Sequence, residues 1–136
     1  MPKMLFVNLP VTDLAAATRF YEAIGFEKND QFSNEQASSM VWSEAIIFQL
    51  MTRDYYQTFT SKPIADARET SAALFALSRD SRDEVDAMVE AAAKVGGTAD
   101  IREAQDMGFM YLRSFADPDG NVFEPAWMDM SAMAGA

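Results

Sequence analysis

The chain has 136 residues, which suits one domain with its own hydrophobic core and leaves no room for a second domain of ordinary size. Its formal net charge of −10 would repel nucleic-acid phosphates and anionic lipids, so we expect neither nucleic acid nor a membrane as a partner. It contains no cysteine, which excludes disulfides and thiolate nucleophiles and favours a reduced, cytoplasmic setting. It also contains no histidine, so a conventional catalytic triad is not expected.

The first 51 residues predict a βαβββ unit. An apolar strand over residues 4–9 ends at Pro10, and Thr12-Asp13 can cap a helix over residues 13–24 that stops at Gly25. Three strands are then expected, over residues 26–32, 36–42 and 45–51, separated by polar turns.

A second unit with the same element order is expected over residues 71–129, after a crossover linker over 52–70 that includes a short helix within 52–59. A strand over 72–77 precedes a helix, which begins at the capping sequence Ser81-Arg82-Asp83-Glu84 and ends at Gly96-Gly97. Further strands are predicted over residues 98–102, 110–115 and 121–127. The tail over 130–136 either frays or covers an apolar groove. All four segments belong to one predicted domain.

The segment from Asp117 to Glu124 carries the clearest local signal. Pro118 pre-sets a turn, the aspartates can bond back to the backbone, and Gly120 accepts a positive φ, so two strands should meet here. Glu124 then lies within a strand between apolar neighbours. A carboxylate in that setting is expected to be paired, to bind something or to line a cavity.

This element order resembles the vicinal-oxygen-chelate superfamily, which includes glyoxalase I, extradiol dioxygenases, fosfomycin-resistance proteins and bleomycin-binding proteins. The residues that carry the resemblance are Val7–Leu14, Phe20-Tyr21, Gly25-Phe26 and the 117–121 turn followed by Glu124. It covers nearly the whole chain. It implies an α+β fold in which two βαβββ units form paired half-barrel sheets around a cavity, in a homodimer.

Enzymes of that superfamily typically bind a divalent metal through one residue on each of four strands. By this resemblance the four positions fall on Phe6, Gln49, a residue near Ala73, and Glu124, and only Glu124 matches a usual ligand. Imidazole and carboxylate groups hold a transition metal, whereas one carboxylate and one amide bind it weakly. We therefore expect a degenerate metal site and no cofactor, while weak binding of a divalent metal stays open.

Arg113 and Tyr111 are further candidates on the strand before the turn. If the turn pairs Ala116 with Asn121, Arg113 lies opposite Glu124, with Tyr111 on the same face. The guanidinium could then replace the metal and bind a ligand, or it could form a purely structural salt bridge. A one-residue bulge at Gly120 would instead move Arg113 to the other face.

Gln49 and Asn8 are expected to face the cavity and to orient a polar ligand, although each could instead satisfy neighbouring backbone or water. We therefore predict a protein that binds a small molecule at Gln49, Asn8, Tyr111, Arg113 and Glu124. The ligand is expected to be uncharged or cationic, because the net charge disfavours anions unless Arg113 faces the pocket. The competing hypotheses are a metal-dependent lyase or dioxygenase using Gln49 and Glu124, a metal-free enzyme using Tyr111 and Glu124, and a structural dimer module.

Overall fold

The structure is a computed structural model that describes residues 3–131 of the chain. It confirms the predicted α+β class, with a boundary between two units that falls between Asp66 and Ala67, inside the predicted linker. No helix within the described range is long and apolar enough to cross a membrane. The predicted tail lies mostly outside the described residues, which end at Ser131.

The first unit is a four-stranded sheet with one long helix on one face. Its elements are β1 (Leu5–Val11), α1 (Leu14–Ala23), β2 (Glu27–Lys28), a 3-10 turn (Asp30–Phe32), β3 (Ala37–Ser43), β4 (Ile46–Thr52) and the short helix α2 (Arg53–Tyr56). The strand order is β1-β4-β3-β2, and β1 and β4 are parallel while the other pairs are antiparallel. The sheet and helix form the predicted βαβββ unit, but the strand predicted over 26–32 is reduced to β2, because residues 30–32 form the 3-10 turn.

Local signals set the ends of α1, and its apolar side packs on the sheet. Asp13 accepts a hydrogen bond from the Ala16 amide at 3.0 Å, and Gly25 ends the helix with a φ of +113°. Phe20 and Tyr21 are fully buried, and the Tyr21 ring meets Phe48 of β4 edge to face at 6.4 Å. Phe48 therefore marks the helix-facing side of β4.

Pro10 does not end the first strand, contrary to expectation, since β1 continues to Val11. A proline lacks the amide needed by a central strand, but β1 is an edge strand that pairs only with β4. The outer side of such a strand needs no donor, so Pro10 is tolerated.

The second unit repeats the arrangement with more interruptions. Its elements are β5 (Leu74–Ser78), α3 (Arg82–Lys94), β6 (Thr98–Ala99), β7 (Gln105–Asp106), β8 (Met110–Leu112), β9 (Phe115–Ala116) and β10 (Val122–Met128). The central strand β10 is parallel to β5 and antiparallel to β8 and β9, which in turn pair with β7 and β6. The strand predicted over 98–102 is reduced to β6, and β7 is a strand that was not predicted. The strand predicted over 110–115 is divided into β8 and β9.

One of the two hydrogen bonds of the predicted capping box is seen at the start of α3. The Ser81 side chain accepts from the Glu84 amide at 3.1 Å, as predicted, but the Glu84 carboxylate pairs with Arg79 at 3.0 Å. The helix buries a stripe of Val85, Met88, Val89 and Ala92 against the sheet. The α3 face of this sheet is therefore its core face.

The 117–121 turn holds the start of the second unit in place. Asp117 bonds to the Asn121 backbone and accepts the Gly120 amide, which leaves a three-residue loop in which Gly120 has a φ of +95°. Arg68 donates to the Pro118 carbonyl at 2.9 Å. A Cβ atom at Gly120 would lie only 2.7 Å from the Arg68 backbone nitrogen.

We predict that Gly120→Ala lowers the free energy of unfolding by about 3 kcal/mol, because it adds a backbone clash to the strain of a positive φ. The matched control is Gly108→Ala, where φ is +81° but a Cβ would meet nothing within 4 Å. The control should cost about 1 kcal/mol in urea unfolding. Equal losses in the two variants would contradict the proposed clash.

Candidate functional site

The register between the last strands decides where the candidate side chains point. Ala116 lies opposite Val122 and Phe115 opposite Phe123, and the Arg113 amide donates to the Pro125 carbonyl at 3.2 Å. Arg113 therefore faces Pro125 and not Glu124. Of the two registers that the sequence left open, the structure has the one shifted by a residue at Gly120, so Arg113 and Glu124 do not form an ion pair.

Arg113 is instead enclosed by two aspartates on the α3 side of the sheet. Its Nε and Nη2 atoms donate to both carboxylate oxygens of Asp100, at 3.0 and 2.8 Å, and its Nη1 atom donates to Asp86 at 2.9 Å. The side chain is 16% exposed. The bond to Asp100 raises the pKa of Arg113 and lowers the pKa of Asp100. These bonds make Arg113 a structural cation.

Tyr111 belongs to the same network. Its hydroxyl donates to Asp86 at 2.6 Å, which raises the pKa of the phenol and lowers the pKa of the Asp86 carboxyl. The guanidinium of Arg82 on α3 lies 5.1 Å from the ring centres of both Tyr111 and Trp127. Arg82 also binds Asp106 through two bonds of 2.8 and 2.9 Å.

Glu124 points away from this network, to the face of the sheet opposite α3. It alternates along β10 with Phe123 and Pro125, which are buried, and its own side chain is 20% exposed. Its carboxylate lies 3.7 Å from the Arg102 guanidinium, which is 58% exposed. Tyr111 and Glu124 therefore lie on opposite faces, and the geometry gives no support to proton transfer shared between them.

Gln49 and Asn8 do share a face, as expected. They are direct neighbours in the parallel pairing of β1 and β4, and Gln49 lies opposite Ser39 in the antiparallel pairing of β4 and β3. Because Phe48 faces α1, these three side chains form a polar row on the face of the first sheet opposite α1. Sequence reasoning missed Ser39, although pairing the strands across the Ser43-Glu44 turn could have placed it opposite Gln49.

The Gln49 side chain has an unusual environment. Its Oε1 atom is buried and has no hydrogen-bond partner among residues 3–131. A buried acceptor without a donor costs about 1–3 kcal/mol relative to one that is bonded. Such atoms are rare in folded proteins, and a specific one calls for an explanation.

At the four metal positions that the resemblance implies, the residues are not a usual donor set for a divalent metal. The corresponding positions carry the phenyl ring of Phe6, the amide of Gln49, a residue near Ala73 and the carboxylate of Glu124. A hydrocarbon ring cannot ligate a metal, and an amide oxygen is a poor replacement for imidazole. Within the described residues, no group of three His, Cys, Asp or Glu side chains is placed to hold a metal ion.

We predict that Arg113→Met lowers the free energy of unfolding by about 2–3 kcal/mol, because it leaves the Asp86 and Asp100 carboxylates without their shared cation. Partial exposure of both aspartates, 40 and 41%, keeps the loss below that of a fully buried pair. The control Arg102→Met breaks the long, exposed pair with Glu124 and should cost less than about 0.5 kcal/mol. Similar losses in both variants would disprove a structural role specific to Arg113.

Acid should destabilise the second unit, because the folded state lowers the pKa values of its carboxyl groups at Asp86, Asp100 and Asp106. The Arg82 bonds lower the pKa of Asp106 to about 2, so its contribution is full above the unfolded pKa of about 4 and is lost as the pH falls through about 2. We expect the free energy of unfolding, from urea titrations, to fall between about pH 4 and pH 2. Asp106→Asn should make this fall shallower, and Asp80→Asn, at an exposed aspartate, should not. An unchanged profile for Asp106→Asn would contradict the assignment.

Comparison with known proteins agrees with the geometry at the level of the fold. The family model of the glyoxalase/bleomycin resistance protein/dioxygenase superfamily matches residues 3–124. No curated protein sequence matches the chain.

Several solved structures are similar over almost their full length. A hypothetical protein from S. aureus is 23% identical with a TM-score of 0.78, covering 93% of this chain and 94% of that chain. A glyoxalase/bleomycin resistance protein/dioxygenase family enzyme from Burkholderia phytofirmans is 21% identical with a TM-score of 0.75. The match covers 93% of this chain and 99% of that chain. The fosfomycin resistance protein FosX from Mesorhizobium loti is 16% identical with a TM-score of 0.70, covering 98% of each chain. The match to the family model and the shared fold show that the chain belongs to the glyoxalase/bleomycin resistance protein/dioxygenase superfamily.

Proposed function

We propose that the protein binds a small molecule on the face of the first sheet opposite α1, with a hydrogen-bond donor of the ligand directed at Gln49. The observation that carries the proposal is the buried Gln49 Oε1 atom, which has no partner among the described residues. A ligand N–H or O–H group would satisfy this acceptor and remove the penalty for leaving it unbonded.

The neighbours of Gln49 would offer such a ligand both polar and apolar contacts. Asn8 and Ser39 flank it across the sheet, and Ile47 and Met51 flank it along β4 on the same face. Small-molecule sites commonly combine apolar walls with a few polar groups that set orientation. The amide row would orient the donor of the ligand, while the apolar neighbours would contact its hydrocarbon part.

The ligand is expected to be uncharged or cationic. The net charge of −10 disfavours anions. Arg113, which could have attracted an anion, is occupied by Asp86 and Asp100. Sequestration of a small molecule, as in bleomycin-binding proteins, is the form of the function that these features support. A homodimer and a cytoplasmic location stay predictions from the sequence.

The enzymatic alternatives receive less support. A metal-dependent lyase or dioxygenase would need ligands that Phe6 and the region of Ala73 do not supply. A metal-free reaction would need Tyr111 near Glu124, but Tyr111 donates to Asp86 on the other face of its sheet. The high phenol pKa also makes Tyr111 a weak acid.

Gln49→Leu is the decisive variant, because it removes the acceptor and keeps most of the side-chain volume. We predict that it raises the free energy of unfolding of the ligand-free protein by about 1 kcal/mol, since the unbonded oxygen is gone. It should also weaken ligand binding by about tenfold, the loss expected for one hydrogen bond. Urea unfolding measures the first effect. Calorimetric titration with uncharged and cationic compounds selected by thermal shift measures the second.

The control is Gln36→Leu, which makes the same chemical change at an exposed glutamine of the first unit. It should change neither stability nor affinity by much. A destabilised Gln49→Leu protein would show that the amide is already satisfied. Unchanged affinity for every selected compound would move the binding site elsewhere.

A further inference from the structure

A cavity of about 370 Å³ lies on the other side of the first sheet, between the start of α1 and the strands β2 and β3. Leu14, Ala15 and Thr18 line it from the helix, and Ser38 lines it from β3. Ser38 faces α1, whereas Gln49 and Ser39 face away from that helix. The cavity is therefore separate from the surface around Gln49, and its volume is within the usual range for small-molecule sites.

The floor of the cavity is a pair of buried hydroxyl groups, Thr18 and Ser38, which are 8 and 3% exposed and lie 2.7 Å apart. Thr18 Oγ1 donates its one hydrogen to the Leu14 carbonyl at 2.7 Å. Ser38 must therefore donate to Thr18, because the hydrogen of Thr18 is already used. The remaining capacity of Ser38 Oγ is to accept, so the floor can bind only a donor.

The rim of the cavity carries one carboxylate and one ammonium group. Glu35 is exposed and makes no ion pair with any described residue. Lys28 lies 3.5 Å from the Asp30 carboxylate, which offsets its charge. The uncompensated charge at the rim is therefore negative. It favours a cation, as does the net charge of the whole chain.

We infer that this cavity is a second binding site, and that it takes a small primary ammonium compound. The ammonium N–H groups would donate to Ser38 Oγ and to the Glu35 carboxylate, and a short alkyl stem would contact Leu14 and Ala15. Three donors on one nitrogen suit the acceptors Ser38 Oγ and the Glu35 carboxylate, and charge-assisted bonds are the stronger kind.

Three probes of similar size separate charge, hydrogen bonding and apolar contact. They are n-butylammonium, butyltrimethylammonium, which keeps the charge without N–H groups, and n-butanol, which has a donor and no charge. Titration of the isotope-labelled full chain by NMR should show saturable n-butylammonium binding, with the largest amide shifts at Ala15, Thr18 and Ser38. Butyltrimethylammonium should bind about tenfold more weakly, and n-butanol more weakly still.

Two charge-removing variants test whether Glu35 at the rim of the cavity binds the ammonium group. Glu35→Gln should weaken n-butylammonium binding about fivefold, because it replaces a charged acceptor with a neutral one. Glu22→Gln removes the same charge from an exposed site near the other end of α1 and should change the affinity less than twofold. Gln49→Leu should leave the affinity for n-butylammonium unchanged. The experiment therefore tests this cavity separately from the proposed site at Gln49.

Several results would overturn the inference. One is the absence of saturable n-butylammonium binding, and another is a set of shifts away from the cavity. Equal affinity for butyltrimethylammonium would indicate general attraction to an acidic protein, and equal affinity for n-butanol would indicate apolar contact alone. Equal losses in Glu35→Gln and Glu22→Gln would remove Glu35 from the site.

Discussion

The Asp117 carboxylate makes the contact on which the second unit depends. It accepts the backbone amides of Asp119 and Asn121 and the Asn121 side-chain amide, at 2.8 to 3.0 Å. These bonds close a loop whose Gly120 lies in the left-handed region, and the loop sets which residues of the last two strands face each other. The register places Arg113 on the α3 side and Glu124 on the opposite side.

The charged and polar groups of the two units have different roles. In the second unit, Arg113 and Tyr111 are bonded to carboxylates and stabilise the packing of α3 on the sheet. In the first unit, Gln49 has a buried oxygen without a donor, and Ser38 has accepting capacity left over. Satisfied networks stabilise a fold, whereas unsatisfied acceptors are where a ligand can add hydrogen bonds. The first unit is therefore where we place both binding proposals.

Elements with local signals could be predicted from the sequence, and pairings that depend on a single turn residue could not. Asp13, Gly25 and Ser81 mark helix ends through their own backbone chemistry, so both long helices were placed within a residue or two. The strand facing was correct for Gln49, because alternation needs only a run of apolar neighbours. The partner of Arg113 could not be chosen from the sequence, because the register depends on the conformation of the single residue Gly120. Whether Gln49 finds a donor depends on distant neighbours, which no local pattern reports.

The closing turn has a consequence for how function can be assigned to proteins with this fold. The bonds described for Asp117 stabilise the backbone of the loop, and Arg68 binds the Pro118 carbonyl. The motif can therefore persist in a chain whatever molecule that chain binds. Finding it in a sequence identifies how the chain folds and carries no information about a reaction. Chemistry has to be judged from positions such as 6, 49 and 124, where the side chains can differ without disturbing the turn.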